Sequence, residues 1–304
     1  MSRLDSPQTP DSNEMSVDWP AHLIERIASN QWVLFVGSGL SASSTNEAGA
    51  SPPTWHGLLT TLCQLTTDLR KKDTGLRLIE SNQLLSAADH IRHCCDEQHG
   101  LNTYHTTLKR AVEGPTGDPY RPSHVFDDLL ALDPRIVFTT NYDKLFETAS
   151  RGGYATHRFD SATLGADLRR GDAVLVKLHG STDSITEVIL TRTDYARLMQ
   201  RGIAVLGTLA ALSMTSTILF VGYSLDDPDI QLALQAVGRG QLDPEAHYML
   251  APEPDTPSRV PVFRESYGVT VLTYTAGENE LVANAITDLV DSVGGARQAA
   301  TGQF

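Results

Sequence analysis

Short apolar runs, each closed by a glycine or a polar residue, recur along the chain. A run of this kind is typical of a strand buried on both faces, as in a parallel sheet. The first reads Trp-Val-Leu-Phe-Val and stops at Gly37. The predicted strands lie at residues 32–36, 135–139, 173–178, 217–221, 247–251 and 269–273. Because segments with helical spacing separate them, the pattern predicts an α/β fold with a doubly wound, Rossmann-like parallel sheet.

The segment between the first two predicted strands carries helical periodicity. Apolar residues recur at three- and four-residue spacing over residues 55–69, 83–98 and 101–112. A turn rich in glycine and proline follows at residues 114–122. This stretch is too long for a simple crossover between neighbouring strands. The sequence therefore predicts a helical lobe inserted at about residues 54–122.

One domain is expected to fill residues 19–293, because 304 residues accommodate a large α/β unit with an insertion. Residues 1–18 are rich in Ser, Pro and Asp, and they lack the basic start and apolar stretch of a signal peptide. We therefore expect a flexible N-terminal lead-in there and a flexible tail at residues 294–304.

Composition narrows the classes of partner and the cell compartment. No apolar run reaches the length of about 18 residues that a membrane helix needs, so no membrane span is expected. The formal net charge of −13 disfavours direct binding of a nucleic-acid backbone. The three cysteines, Cys63, Cys94 and Cys95, show no paired spacing, which favours a reducing cytoplasm and argues against a metal site built from cysteines.

Four of the predicted strands run directly into polar or glycine-containing motifs. These motifs are Gly37-Ser38-Gly39, Thr139-Thr140-Asn141-Tyr142-Asp143, Lys177-Leu178-His179-Gly180-Ser181 and Gly222-Tyr223-Ser224-Leu225-Asp226. The carboxyl ends of parallel strands share one edge of the sheet, where open α/β sheets bind their ligands. We therefore expect the four motifs to converge on a single cleft.

The first motif fits the G-x-G-x-x-A pattern of a dinucleotide-binding turn. Glycines let the backbone approach a pyrophosphate, and the start of the following helix favours negative charge. A tight strand-to-helix turn without a ligand explains the same residues. The acidic residue that usually holds a ribose hydroxyl is missing, because residues 55–67 contain neither Asp nor Glu. This absence disfavours a dehydrogenase but not a dinucleotide.

Asn141 and His179 are the candidate catalytic residues. A histidine with a pKa near neutrality can take a proton from a ribose hydroxyl or from water, although an isolated histidine is often a packing residue. The amide of Asn141 can donate and accept hydrogen bonds at once, which suits holding a ribose hydroxyl or an attacking water. Asn141 and Asp143 also suit the start of the next helix, so a capping role stays open for both.

Taken together, the motifs resemble the sirtuin superfamily over residues 33–226. The Thr-Thr-Asn-Tyr-Asp, Lys-Leu-His-Gly-Ser and Gly-Tyr-Ser-Leu-x-Asp forms are similar to the bacterial sirtuin-like branch rather than to the protein deacetylases. Deacetylases of this family carry a four-cysteine zinc module, generally after the catalytic histidine segment. This chain has no cysteine after Cys95, so no zinc is expected.

The resemblance implies an NAD+ glycohydrolase, which takes NAD as its substrate and releases nicotinamide and ADP-ribose. It implies that Asn141 orients the attacking water or the ribose and that His179 acts as general base or ribose-hydroxyl partner. The implied dinucleotide-binding residues are Gly37, Ser38, Gly39, Ser41, Thr140, Asp143, Gly222 and Ser224.

The same resemblance implies a toxic effector of bacterial anti-phage defence that drains NAD once a partner senses infection. The implied partner is an Argonaute-type protein or a hexameric ATPase encoded nearby, and we expect a cytoplasmic oligomer. Two other functions stay open. One is NAD-dependent protein deacylation or ADP-ribosyl transfer, and the other is non-catalytic binding of NAD or ADP-ribose by a regulatory module.

Overall fold

The computed structural model describes residues 17–224, 230–231, 233–234, 247–252, 259–274 and 279–301. At its centre lies one sheet of seven parallel strands. The strands are β1 Trp32–Val36, β2 Ile136–Thr139, β3 Ala155–Arg158, β4 Val174–Lys177, β5 Thr217–Val221, β6 His247–Pro252 and β7 Val269–Tyr274. Their order across the sheet is β3-β4-β2-β1-β5-β6-β7. The six predicted strands are confirmed to within one residue at either end.

Strand β1 is hydrogen-bonded to β2 on one side and to β5 on the other, with Leu34 opposite both Val137 and Leu219. Every residue of β1 and β5 is buried, as unbroken apolar runs predict for strands covered on both faces. The chain first builds the sheet outward from β1 through β2, and later returns to the other side of β1 with β5. Open α/β sheets bind ligands beyond the strand ends at such a reversal.

Helices cover both faces of the sheet, which confirms the doubly wound architecture. They are α1 Ala21–Ala28, α2 Ser38–Ser41, α3 Trp55–Cys63, α4 Leu69–Glu80, α5 Leu84–His99, α6 Leu101–Glu113, α7 His124–Ala131, α8 Leu145–Ala149, α9 Leu164–Arg170, a 3-10 helix at Thr182–Glu187, α10 Arg192–Arg201, α11 Ile203–Thr215, α12 Arg259–Tyr267 and α13 Asn279–Thr301. One face packs around Leu23, Phe126 and Ile286, from α1, α7 and α13. The other face packs around Leu198 and Leu209, from α10 and α11.

Helices α3 to α6 occupy the segment predicted to be an inserted lobe, and they bury a core of their own around Leu62, Ile91 and Leu108. The apolar pattern does not predict α4, because only Gly75 and Ile79 of its twelve residues are buried. Its start is stabilised by the Asp68 side chain, which accepts hydrogen bonds from the first-turn amides.

Two ion pairs attach the lobe to α10 of the main domain. Arg92 of α5 lies 3.1 Å from the buried carboxylate of Asp194, and Arg192 lies 2.6 Å from Asp89 of α5. The Asp194 carboxylate also accepts the Thr191 amide, and the Asp194 amide donates to Thr191 Oγ1, so that the two residues form a capping box at the start of α10. The lobe is therefore held beside the carboxyl edge of the sheet.

Two parts of the sequence prediction differ from the structure. Strand β3 is not predicted, because Ala-Thr-His-Arg at a sheet edge has no apolar run and buries only His157. The tail expected from residue 294 is helical as far as Thr301, since α13 continues to that residue. In the described residues no single helix is long and apolar enough to cross a bilayer, although α10 and α11, which meet at a 76° bend, pass that test as a pair.

Candidate functional site

A cleft of about 670 Å³ opens at the carboxyl edge of the sheet, between the loops after β1, β2, β4 and β5 and the lobe. The lobe contributes residues 52–56 to its wall. The predicted site residues that line it are Ser38, Gly39, Ser41, Thr140, Asn141, Asp143, His179, Gly222 and Ser224. The remaining one, Gly37, lies just below, where its carbonyl accepts a hydrogen bond from Asn141. Leu225 and Asp226, which complete the last motif, fall outside the described residues.

The glycines of the first and last motifs pack against each other. The Gly39 amide donates to the Gly222 carbonyl at 2.8 Å, and the Gly37 amide donates to the Val221 carbonyl at 3.0 Å. A Cβ on Gly39 would lie 2.9 Å from two backbone atoms of Gly222, whose own φ of +63° favours glycine. These glycines are therefore required by close backbone packing. Two of the amides expected to face a pyrophosphate are already bonded within the protein.

Asn141 joins the loop after β2 to the turn after β1. Its Nδ2 donates to the Gly37 carbonyl and to the Ser41 hydroxyl, each at 2.9 Å. Its own backbone amide is held by the Thr139 hydroxyl at 3.0 Å. Both Nδ2 hydrogens are thus used inside the protein, and no described residue donates to Oδ1. The side chain can still accept one hydrogen bond from a ligand hydroxyl or a water.

Asp143 has both carboxylate oxygens engaged. Oδ1 accepts the Leu145 amide at 3.0 Å, at the start of α8, and Oδ2 accepts the Ser41 hydroxyl at 2.8 Å. The capping alternative drawn from the sequence is therefore observed for Asp143, while Asn141 makes no such contact with α8 among its described hydrogen bonds. Within the described lining, Asp143 is the one Asp, Glu, Lys or Arg side chain.

His179 follows β4 and is buried, with only 3% of its surface exposed. Its ring meets the edge of the Tyr195 ring from α10, at 5.3 Å between centroids and an interplanar angle of 73°. Its backbone carbonyl accepts the Ile189 amide, and the chain then turns at Gly180, whose φ is +86°. The imidazole is therefore held in a defined orientation against the cleft wall.

Lys177, the last residue of β4, belongs to the predicted motif that contains His179, but no role of its own is predicted for it from the sequence. Its side chain is 1% exposed, and Nζ donates to Glu147 Oε1 at 2.8 Å and to the Asp143 carbonyl. These bonds hold the loop that carries Asn141 against the end of β4, two residues before His179. A lysine inside a run of strand residues was the available signal, because lysine is almost never fully buried unless it is paired.

Comparison with known proteins agrees with this geometry. Residues 135–272 match the family model described as a SIR2-like domain. The family match includes the loops that carry Asn141 and His179, and it ends within β7. The turn after β1 lies before the matched residues, although its contacts with Asn141 make it part of the same cleft.

Two relatives and one solved structure extend the comparison. NAD(+) hydrolase ThsA from Acinetobacter baumannii is 27% identical over 218 residues, which cover 71% of this chain and 41% of the relative. Defense-associated sirtuin 2 from Bacillus subtilis is 33% identical over 132 residues, covering 41% of this chain and 12% of the relative. A solved Sir2 enzyme covers 91% of this chain and 98% of its own at 12% identity, with a TM-score of 0.43. The chain thus spans about two fifths of the ThsA relative.

The cleft has an electrostatic character that suits a cationic group. No lysine or arginine lines the described part of the cleft, while Asp143 and the free Oδ1 of Asn141 supply negative charge and a negative dipole end.

Among the described residues, no group of three or more His, Cys, Asp or Glu side chains is arranged to hold a metal ion. Cys63, Cys94 and Cys95 are buried free thiols of the lobe, and burial raises the pKa of each.

Proposed function

We propose that this chain is an NAD+ glycohydrolase that releases nicotinamide and ADP-ribose. The observation that carries the proposal is the convergence of Asn141 and His179, from two different strand ends, on one cleft that lacks cationic side chains within the described lining. The 71% of the chain that matches a relative named NAD(+) hydrolase supports it, and so does the SIR2-like domain.

The reaction suits such a site because little covalent chemistry is required of the protein. The bond between ribose C1′ and the nicotinamide nitrogen breaks, and its electron pair neutralises the pyridinium ring. A water oxygen bonds to C1′ and loses one proton, so the products are nicotinamide, ADP-ribose and a proton. The positive charge that develops on the ribose is stabilised by acceptors and negative charge placed beforehand, here Asn141 and Asp143.

We assign roles to the predicted residues on this basis. Asn141 Oδ1 accepts a hydrogen bond from the ribose or from the attacking water, and His179 takes the proton. Ser38, at the first position of α2, offers its amide to the pyrophosphate, since the amides of Gly37 and Gly39 are already bonded. The other residues proposed to contact the dinucleotide are Ser41, Thr140, Asp143, Gly222 and Ser224, the last two on the adenosine side.

We further propose that the enzyme is the toxic effector of a bacterial anti-phage defence system. The relative named defense-associated sirtuin 2 supports this step. In this role the enzyme depletes NAD in the cytoplasm, as an oligomer, when a sensor or activator protein signals infection. We propose that the activator is an Argonaute-type protein or a hexameric ATPase encoded by a neighbouring gene.

The decisive experiment measures nicotinamide release from NAD+ by the purified protein, alone and with its activator. Asn141→Ala and His179→Ala are each expected to lower turnover by at least about 100-fold, as removal of a positioned general acid–base group does. Two controls match them in residue type: Asn46→Ala removes a buried turn amide, and His157→Ala removes a histidine of β3 that is buried as His179 is. Both controls should turn over NAD+ in proportion to their folded fraction.

Other results of this experiment would contradict the assigned site or indicate a different function. Full turnover in both Asn141→Ala and His179→Ala contradicts the assigned site. Nicotinamide release that requires an acyl-lysine peptide indicates a deacylase instead, and label from NAD+ that ends on protein indicates ADP-ribosyl transfer. Saturable binding of NAD+ with no turnover, with or without the activator, indicates a regulatory module.

A further inference from the structure

The hydrogen bonds that link Asn141, Ser41 and Asp143 have a direction that is fixed at both ends. The Gly37 carbonyl can only accept, so the Asn141 atom 2.9 Å away must be the donor Nδ2. At the other end the Asp143 carboxylate accepts, so the Ser41 hydroxyl gives its hydrogen to Oδ2 at 2.8 Å. Ser41 Oγ must then accept from Asn141 Nδ2. The orientation of the Asn141 amide follows from its partners.

We propose that Ser41 and Asp143 are positioning residues that hold the Asn141 amide with Oδ1 free to accept from the substrate. The inference rests on the proposed function, since Asn141 matters for turnover only in an enzyme. If the amide rotated by 180°, Oδ1 would face the Gly37 carbonyl and Ser41 Oγ. Both contacts would join two acceptors, because Asp143 holds the Ser41 hydrogen.

Asp143 sets the difference between the two amide orientations. Without its carboxylate, the Ser41 hydroxyl is free to donate to a rotated amide, and one of the two unfavourable contacts becomes a hydrogen bond. Without the Ser41 hydroxyl, that contact disappears altogether. Either loss lets the amide present its donor edge to the substrate for part of the time. Asp143 uses Oδ1 at the Leu145 amide and Oδ2 at Ser41, so its bond to Ser41 acts on the reaction through Asn141, in addition to the negative charge that Asp143 places at the cleft.

Two near-isosteric variants test the proposal by kinetics. Ser41→Ala removes one oxygen, and Asp143→Asn keeps the acceptor for the Leu145 amide while it loses the fixed acceptor for Ser41. Each is expected to lower kcat for NAD+ hydrolysis on the order of 10- to 100-fold, as misplacement of a catalytic group does, and this loss should exceed the change in KM that comes from any altered contact with the dinucleotide. The double variant should be no slower than the slower single variant, because both changes act on the same amide.

A matched control and a second readout complete the test. Ser44→Ala removes a buried hydroxyl from the same segment, one that accepts the Ser123 amide away from Asn141, and should keep wild-type kcat. Solution NMR of the Asn141 side-chain amide needs no turnover. Both Nδ2 hydrogens should be protected from solvent exchange in the wild type, and one should lose protection in Ser41→Ala.

The hydrogen bonds that orient Asn141 through Ser41 and Asp143 form what we call the relay. The outcomes of the test distinguish failure of this relay from failure of the proposed function. Wild-type kcat in both single variants, or rate losses that multiply in the double variant, overturns the relay while NAD+ hydrolysis stands. Unprotected Asn141 amide hydrogens in the wild type also overturn it. A wild type that releases no nicotinamide but shows the expected protection pattern counts against the hydrolase and supports the hydrogen-bond relay.

Discussion

Gly222→Ala should damage the site through backbone packing alone. Gly222 has a φ of +63°, and a Cβ built on it would overlap Leu40 N and lie 2.7 Å from the carbonyl carbon of Gly39. These are backbone atoms of the turn after β1, which a rotamer change cannot move away. The turn would have to separate from the loop after β5, and the bond from the Gly39 amide to the Gly222 carbonyl would lengthen or break.

The magnitude follows from three contributions. A residue with a Cβ in the left-handed region costs about 1–2 kcal/mol. Forcing extra atoms into a packed contact costs about 1–3 kcal/mol, and a lost hydrogen bond about 1 kcal/mol. We therefore expect Gly222→Ala to lower the free energy of unfolding by about 3–6 kcal/mol, a large part of the 5–15 kcal/mol typical of a domain. Turnover of the folded fraction should fall as well, since the Gly37 carbonyl that orients Asn141 moves with the turn.

Gly171→Ala is the matched control, because Gly171 has a similar φ of +75° and a Cβ added there would have nothing within 4 Å. It should cost only about 1–2 kcal/mol, which comes from backbone conformation alone. Urea denaturation followed by circular dichroism measures both variants against the wild type. Equal losses in the two variants would refute the argument that close approach of the two loops requires Gly222.

Two further predictions concern groups around the sheet. Lys177→Met leaves Glu147 without its buried partner and should lower the free energy of unfolding by about 3–5 kcal/mol in urea, whereas Lys144→Met, at an exposed ion pair, should cost at most about 1 kcal/mol. Burial, with Asp133 nearby, raises the pKa of Tyr154 to about 12. The folded state thus favours the neutral phenol, so stability is complete below the unfolded pKa of about 10 and is lost as the pH rises towards 12. Tyr154→Phe should flatten that decline in urea midpoints measured across this range.

The central strands could be predicted because burial on both faces leaves an unbroken apolar run. Strand β3 could not, since an edge strand needs only one buried residue and here uses His157. Helix α4 was not predicted for a similar reason, because it lies on the outside of the lobe and has a mostly polar surface. Periodicity reports how much of an element is buried, and elements with little burial leave little trace.

The convergence of the site residues was also predictable, because parallel strands bring their carboxyl ends to one edge. The role of the glycines was not. The pattern around Gly37 and Gly39 predicts an approach to a pyrophosphate, while the structure has both amides bonded to the segment that ends β5. That segment lies about 180 residues further along the chain, and local spacing carries no information about which backbone packs against the turn.

Local sequence also does not show how the Asn141 side chain is oriented, and this orientation affects the chemistry of the site. A sequence motif indicates an amide at the ligand edge but not which of its ends faces the ligand. In this chain that choice depends on Ser41, 100 residues earlier, and on a carboxylate two residues later, through bonds of 2.9 and 2.8 Å. A chain with the same Asn and His but an alanine at position 41 would keep the motif, yet its amide would be free to rotate. On the proposed function, such a chain binds NAD+ and turns it over slowly.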